Sequence, residues 1–250
     1  EYLSMERRRC QEKDNSEERD VFFHRAYMFV LSVPLLVFFQ MVYLYHMNFK
    51  TILSKKELAL FRTLNTPAKI QDFINTLKNN TDEKKIMMSP REVLATHRAH
   101  CIEGALLAGS ILWYHGHTPY ILDLKTTRGK KDSDHVVALF KEKGYWGAIS
   151  KTSHAVLRYR EPIYKTLREL VLSYFHEYFL NTDGTKTLRS YSKPFDLRTQ
   201  GTEWMTTEKD LWEIGATLDE IPHYSILPPH IKKLRKADPI EILAGKLQEK

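Results

Sequence analysis

Cysteine is nearly absent from this chain. Its 250 residues hold two, Cys10 and Cys101. Two cysteines cannot build a disulfide framework, so nothing in the sequence calls for an oxidising compartment. No CxxC pair occurs, which argues against a structural zinc site of the usual kind. Long blocks of one charge are also missing. The net charge is +7, but the basic excess is scattered among acids, and no Lys/Arg block stands outside Arg7–Arg9 and the last residues. A nucleic-acid partner is therefore not expected. There is no internal repeat and no low-complexity segment.

What remains is a globular composition, with 42% hydrophobic and 12% aromatic residues, ample for a core in one large domain or two small ones. Residues 1–25 are an exception. They are dense in charge and poor in apolar residues, and are expected to be disordered when alone. Residues 26–47, AYMFVLSVPLLVFFQMVYLYHM, contain no Asp, Glu, Lys or Arg. A run of about 22 residues is long enough to cross a bilayer as a helix, and Pro34 is tolerated there. Two readings stand. The run is a membrane span that anchors the protein. Alternatively it is an extension outside the functional product, with Met47 opening a cytoplasmic protein that begins MNFKTILSKKELALF.

From residue 48 the chain reads as three regions: an N-terminal helical region over 48–88, a central core over 89–160, and a C-terminal helical extension over 161–250. Thr66-Pro67 starts a helix whose apolar face is Ile70, Phe73, Ile74 and Leu77. Ser89-Pro90-Arg91-Glu92 is a capping box with proline in the first turn. Cys101–Tyr114 reads as a buried helix, rich in small residues and ended by Gly116. The pattern then changes to strands at Pro119–Leu124, Asp134–Lys141 and Tyr145–Ser150, the last two joined by the turn Glu142–Gly144. Further helices are expected over Pro162–Leu180, Thr207–Leu218, Leu227–Arg235 and Pro239–Gln248. Lys186–Arg198 reads as an extended, loop-like stretch.

The chemistry is concentrated in the core. A cysteine at a helix N-terminus sits among free N–H groups and partial positive charge, which favour the thiolate and an oxyanion. A histidine opening the following strand pattern, His135, supplies a base and an acid. Ser150 closes the next strand, where a third group would orient the imidazole. His97, His100, His115 and His117 offer metal ligands by type, but their spacing does not form a set, and no metal or cofactor is expected.

The order HC-IEGALLAG, HG-HTPYIL, DHVVALF, YWGAIS resembles the transglutaminase-like superfamily of papain-like Cys/His enzymes, in an uncharacterised microbial branch. The resemblance covers about 60 residues. It implies an α+β fold in which a Cys-bearing helix packs on an antiparallel sheet. It also implies a catalytic set of Cys101, His135 and Ser150, and a cysteine-dependent amide hydrolase or acyltransferase that works through a thioester on a peptide or protein substrate. Ser150 stands where the family has an aspartate, which departs from the pattern. That departure leaves a second class open, a binding or scaffold module that kept the fold and lost the chemistry.

Overall fold

The computed structural model describes residues 49–80, 87–127 and 132–248. The chain divides into two units, residues 1–51 and residues 52–250; of the first only Phe49–Thr51 are described, as helix. The charged stretch 1–25, with Cys10, lies outside the described residues, and so does 26–47. Among the described residues no helix is long and apolar enough to cross a membrane. Among the described residues the expectation of a transmembrane helix is not met, and the run on which it was placed, 26–47, lies outside them.

The second unit is mixed helix and antiparallel sheet, as expected. It opens with α1 (Lys55–Thr63) and α2 (Pro67–Thr76), each capped by the hydroxyl that precedes it, Ser54 and Thr66. Short β1 (Lys78–Asn79) follows, then α3 (Pro90–Thr96). At α3 the Ser89 N–H donates to Glu92 Oε2 at 3.1 Å and the Glu92 N–H to Ser89 Oγ at 3.4 Å, the reciprocal cap expected from the sequence. Short β2 (Arg98–Ala99) pairs parallel with β1. Next comes α4 (Cys101–Tyr114), with the bounds the sequence predicts. Every residue of α4 from Glu103 to Trp113 is buried. A helix apolar on all sides belongs between layers, and α4 lies between the sheet and helices α2 and α3.

The sheet contains β3 (Tyr120–Thr126), β4 (His135–Glu142), β5 (Tyr145–Ile149) and β6 (Arg160–Tyr164). It is completed by β7 (Leu188–Ser192), β8 (Phe195–Asp196) and β9 (His223–Ser225). The order is β6-β5-β4-β3-β7-β9, with β8 also on β3. β4 and β5 form a hairpin whose turn, Lys143-Gly144, has positive φ at both residues, as a right-twisted two-residue connection requires. On the face away from α4, α5 (Leu167–Phe175) sets Leu170, Val171 and Tyr174 against Leu122, Leu124, Val137, Leu139 and Ala148.

Residues 161–250 depart from the helical extension expected. They supply β7, β8 and β9, which extend the sheet beyond β3. Within Lys186–Arg198, read as loop-like, lie the strands β7 and β8, separated at Lys193-Pro194, where proline cannot donate to a ladder; a 3-10 turn begins at Leu197. The helix expected over 227–235 does not form: Pro228 and Pro229 stand in its first turn, and the segment is irregular. α6 (Trp212–Glu220) and α7 (Pro239–Gly245) are shorter than expected.

Candidate active site

Cys101 is the first residue of α4. The helix starts here because Glu103, in its first turn, reaches back to accept the His100 N–H at 2.6 Å. Glu103 is fully buried. Its oxygens also accept from Asn80 Nδ2 at 3.1 and 3.3 Å and from the Met88 N–H at 2.9 Å. A buried carboxylate is tolerated when N–H donors surround it, as they do here. One turn on, Gly104 lets the chain after β5 come close: a Cβ on Gly104 would stand 2.4 Å from Lys151 Cβ. The start of the cysteine helix and the end of β5 are thereby pressed together.

His135 opens β4, and Ser150 follows the last residue of β5. The pairing Ala138↔Ile149 continues to place Ser150 opposite Val137, and Val137 and His135 share a face because they are two apart on one strand. The two side chains meet, with His135 Nε2 2.8 Å from Ser150 Oγ. The Ser150 hydroxyl also donates to the Leu157 carbonyl at 2.7 Å. A hydroxyl has one proton, and a carbonyl cannot donate. Ser150 therefore accepts from His135, which places the imidazole proton on Nε2 and leaves Nδ1 bare.

Ser150 is itself held by Gln71, a buried residue of α2. The Gln71 side chain accepts the Ser150 N–H at 2.8 Å and donates to the Ser150 carbonyl at 2.9 Å. Nothing in the sequence reading singled out Gln71 or Glu103. Gln71 stands beside Ile70 and Ile74 on the inner face of α2, and a polar residue at the edge of an apolar stripe is the signal that was there to be read. Asp134 does not orient His135. Its Oδ1 accepts from the Thr126 N–H at 2.7 Å and the Thr126 hydroxyl at 2.9 Å, fixing the chain just before β4.

Cys101 and His135 line one cavity of about 440 Å³, with Asn80, Ser133 and His154 also on its wall. The Val136 N–H and the Ile102 N–H approach the Cys101 sulfur and favour the thiolate. Burial outweighs them and pushes the thiol above its ordinary value, with the nearby Asp123 charge adding to the rise. Burial also holds His135 down, to about 4, with His154 contributing. The resting site is thus a neutral thiol and a neutral imidazole, not the thiolate that a helix N-terminus alone predicts. Among the described residues no hydrogen bond joins the two. Among the described residues His135 Nδ1 has no hydrogen-bond partner, and His135 lines the cavity.

Asp123 is a buried carboxyl raised to about 6 by its burial. Its Oδ2 is 3.1 Å from His223 Nε2, while His223 Nδ1 lies 2.7 Å from the Ile221 carbonyl and must donate to it. No family model matches the chain, and no curated protein matches its sequence.

Proposed function

We propose that this chain is a cysteine-dependent amide-bond enzyme with a transglutaminase-like, papain-like core. Cys101 is the nucleophile, His135 carries the proton, and Ser150 is the positioning residue. The observation that carries this reading is the use of the Ser150 proton on Leu157. It fixes the His135 proton on Nε2 and leaves Nδ1 as a base in the cavity that Cys101 also lines.

In the reaction, His135 Nδ1 takes the Sγ proton as sulfur attacks the amide carbon. The carbonyl electrons move onto oxygen, and the N–H groups of the first turn of α4 stabilise that charge. The C–N bond then breaks, His135 returns its proton to the leaving nitrogen, and a thioester remains on Cys101. Water or an amine attacks the thioester and gives its proton to Nδ1; the C–S bond breaks and the sulfur is reprotonated. Water gives hydrolysis and an amine gives transfer. The substrate is an amide of a peptide or protein.

A second reading is a binding or scaffold module on the same core. The burial that raises the thiol favours it. The two are separated by labelling the folded protein with an alkyne-bearing iodoacetamide at neutral pH. The enzyme reading expects Cys101 to label faster in the folded chain than in urea, and His135→Gln to remove the advantage. Slower labelling in the folded chain, unchanged by His135→Gln, favours the scaffold.

A further inference from the structure

The cavity that Cys101 lines is also lined by Gly245, the last residue of α7, and the chain beyond it runs on to Gln248. Residues 247 and 248 lie on the chain at 154 and 155 through one isolated bridge outside the sheet. His154 and Gln248 form an antiparallel bridge, and the Ala155 N–H donates to the Leu247 carbonyl at 2.9 Å. Gly245, on the cavity wall, turns its carbonyl inward, where it accepts from Asn181 Nδ2 at 2.9 Å and lies 3.3 Å from His154 Nδ1. The contact is close enough to require glycine, since a Cβ there would stand 2.4 Å from Asn181 Oδ1 and 2.9 Å from Phe179 Cε2.

This segment is held by backbone hydrogen bonds more than by a core. Ile240, Leu243 and Leu247 are 71%, 60% and 61% exposed, and Gly245 is the one buried residue of α7. Segments with little apolar burial open at low free energy. Pairing by main-chain bonds is also a way for an extended peptide to dock, and here the backbone that pairs, residues 154–155, lies outside the sheet with His154 on the cavity wall.

We propose that the backbone at 154–155 is the docking segment for an extended peptide substrate, and that residues 245–248 occupy it within the same chain as a stand-in. This rests on the reading of Cys101 as nucleophile and narrows the substrate to an amide in, or borne by, a polypeptide in extended form. Compact surfaces and small free amides lack the backbone to pair with Ala155. The side chains of the stand-in point largely to solvent, so the docking segment selects for backbone before side chain. Substrate and stand-in compete, and the resident segment lowers the apparent affinity for peptide by the fraction of time it is seated.

The test uses the full chain and the variant Gly245→Val, which cannot seat the segment. Asn181→Ala, which removes the side-chain bond to Gly245, serves as a second variant, and Ala244→Val, at an exposed position, as control. The probes are iodoacetamide, which needs no docking, a tripeptidyl chloromethyl ketone, which does, and the synthetic peptide ILAGKLQ, matching Ile242–Gln248. With Gly245→Val the chloromethyl ketone should label Cys101 roughly tenfold faster, and iodoacetamide should change less than about twofold. Added ILAGKLQ should slow the ketone again and shift the Ala155 amide resonance. Asn181→Ala should lie between, and Ala244→Val should match the wild type. The proposal is overturned if Gly245→Val frees the Ala155 amide to exchange while ketone labelling stays at the wild-type rate and ILAGKLQ does not bind. Should Cys101 resist both reagents in every variant while ILAGKLQ still shifts Ala155, the docking segment stands and the nucleophile reading falls.

Discussion

The Ser150 hydroxyl gives its proton to the Leu157 carbonyl at 2.7 Å and so receives the Nε2 proton of His135 at 2.8 Å. One side chain is acceptor to the imidazole and donor to a carbonyl. A carboxylate cannot do both.

That asymmetry ranks replacements at Ser150. Ser150→Ala strands a buried Nε2–H and a carbonyl, at about 1–3 kcal/mol for each group left unpaired. Asparagine has an oxygen for His135 and an NH₂ for Leu157, so Ser150→Asn should retain more stability and more Cys101 reactivity than alanine. Ser150→Asp, though it supplies the family's carboxylate, would set an anion against the Leu157 carbonyl in a site that is 1% exposed. It should be the least stable of the three. Urea denaturation of the four proteins checks the order.

Gln71 is the second support of this pair. Gln71→Leu keeps the bulk but leaves the Ser150 N–H and C=O unpaired in the interior. A loss of about 2–4 kcal/mol is expected from two stranded backbone groups. Gln71→Glu should restore the bond to the Ser150 N–H and not the one to its carbonyl, and so recover part of the loss. Chemical denaturation reads the stability. A drop in Cys101 alkylation rate in the still-folded fraction reads the displaced imidazole.

The buried imidazole predicts a pH dependence of stability. In the folded chain His135 takes a proton only near 4, against an ordinary value of 6.5. Between these values the unfolded state binds the proton and the folded state does not, so stability falls as pH is lowered from 6.5 toward 4. The gap amounts to at most about 3 kcal/mol. Asp123, raised to about 6, acts with the opposite sign over part of this range. The comparison is therefore wild type against His135→Gln, in which the Asp123 contribution cancels. The wild type should lose stability relative to the variant as the pH falls, read from urea midpoints at a series of pH values. Parallel curves would show that His135 titrates normally.

Gly104 sets the spacing between α4 and the end of β5. Gly104→Ala puts a methyl 2.4 Å from Lys151 Cβ, and the overlap should cost about 1–3 kcal/mol despite alanine's better helix propensity. Thermal melting checks it; a stabilised Gly104→Ala would mean that the two elements move apart freely.

Much of this arrangement was legible in the sequence because it is local. The run Cys101–Tyr114 is apolar on every side and ends at a glycine, and no strand pattern competes with it. The β4–β5 hairpin is announced by its turn, and alternation along it puts His135 and Ser150 on one face. What the sequence did not disclose comes from far along the chain. Gln71 reaches Ser150 across 79 residues by side-chain bonds to backbone, which leave no periodic trace. Leu157 contributes only a carbonyl, which any residue carries. β7 and β8 were hidden because charges and Pro194 interrupt their alternation, and only pairing with neighbours, β3 for both and β9 for β7, makes them strand. The state of the thiol was misread for a related reason. A helix N-terminus is visible in sequence and favours thiolate, whereas the burial that overrides it is a property of the assembled layers.

The most direct test of the central claim is the rate of Cys101 alkylation by iodoacetamide against pH, in the wild type and in His135→Gln, read by mass at that residue. If His135 Nδ1 removes the thiol proton during attack, the wild type should react well below the pH at which a buried thiol ionises. The rate should climb as His135 loses its proton, near 4. His135→Gln should be slower by about 10²-fold at neutral pH, the scale of general-base assistance, and recover only in alkali. Superimposed profiles for the two proteins, both rising only in alkali, would mean that the thiol and the imidazole share a cavity without sharing a proton.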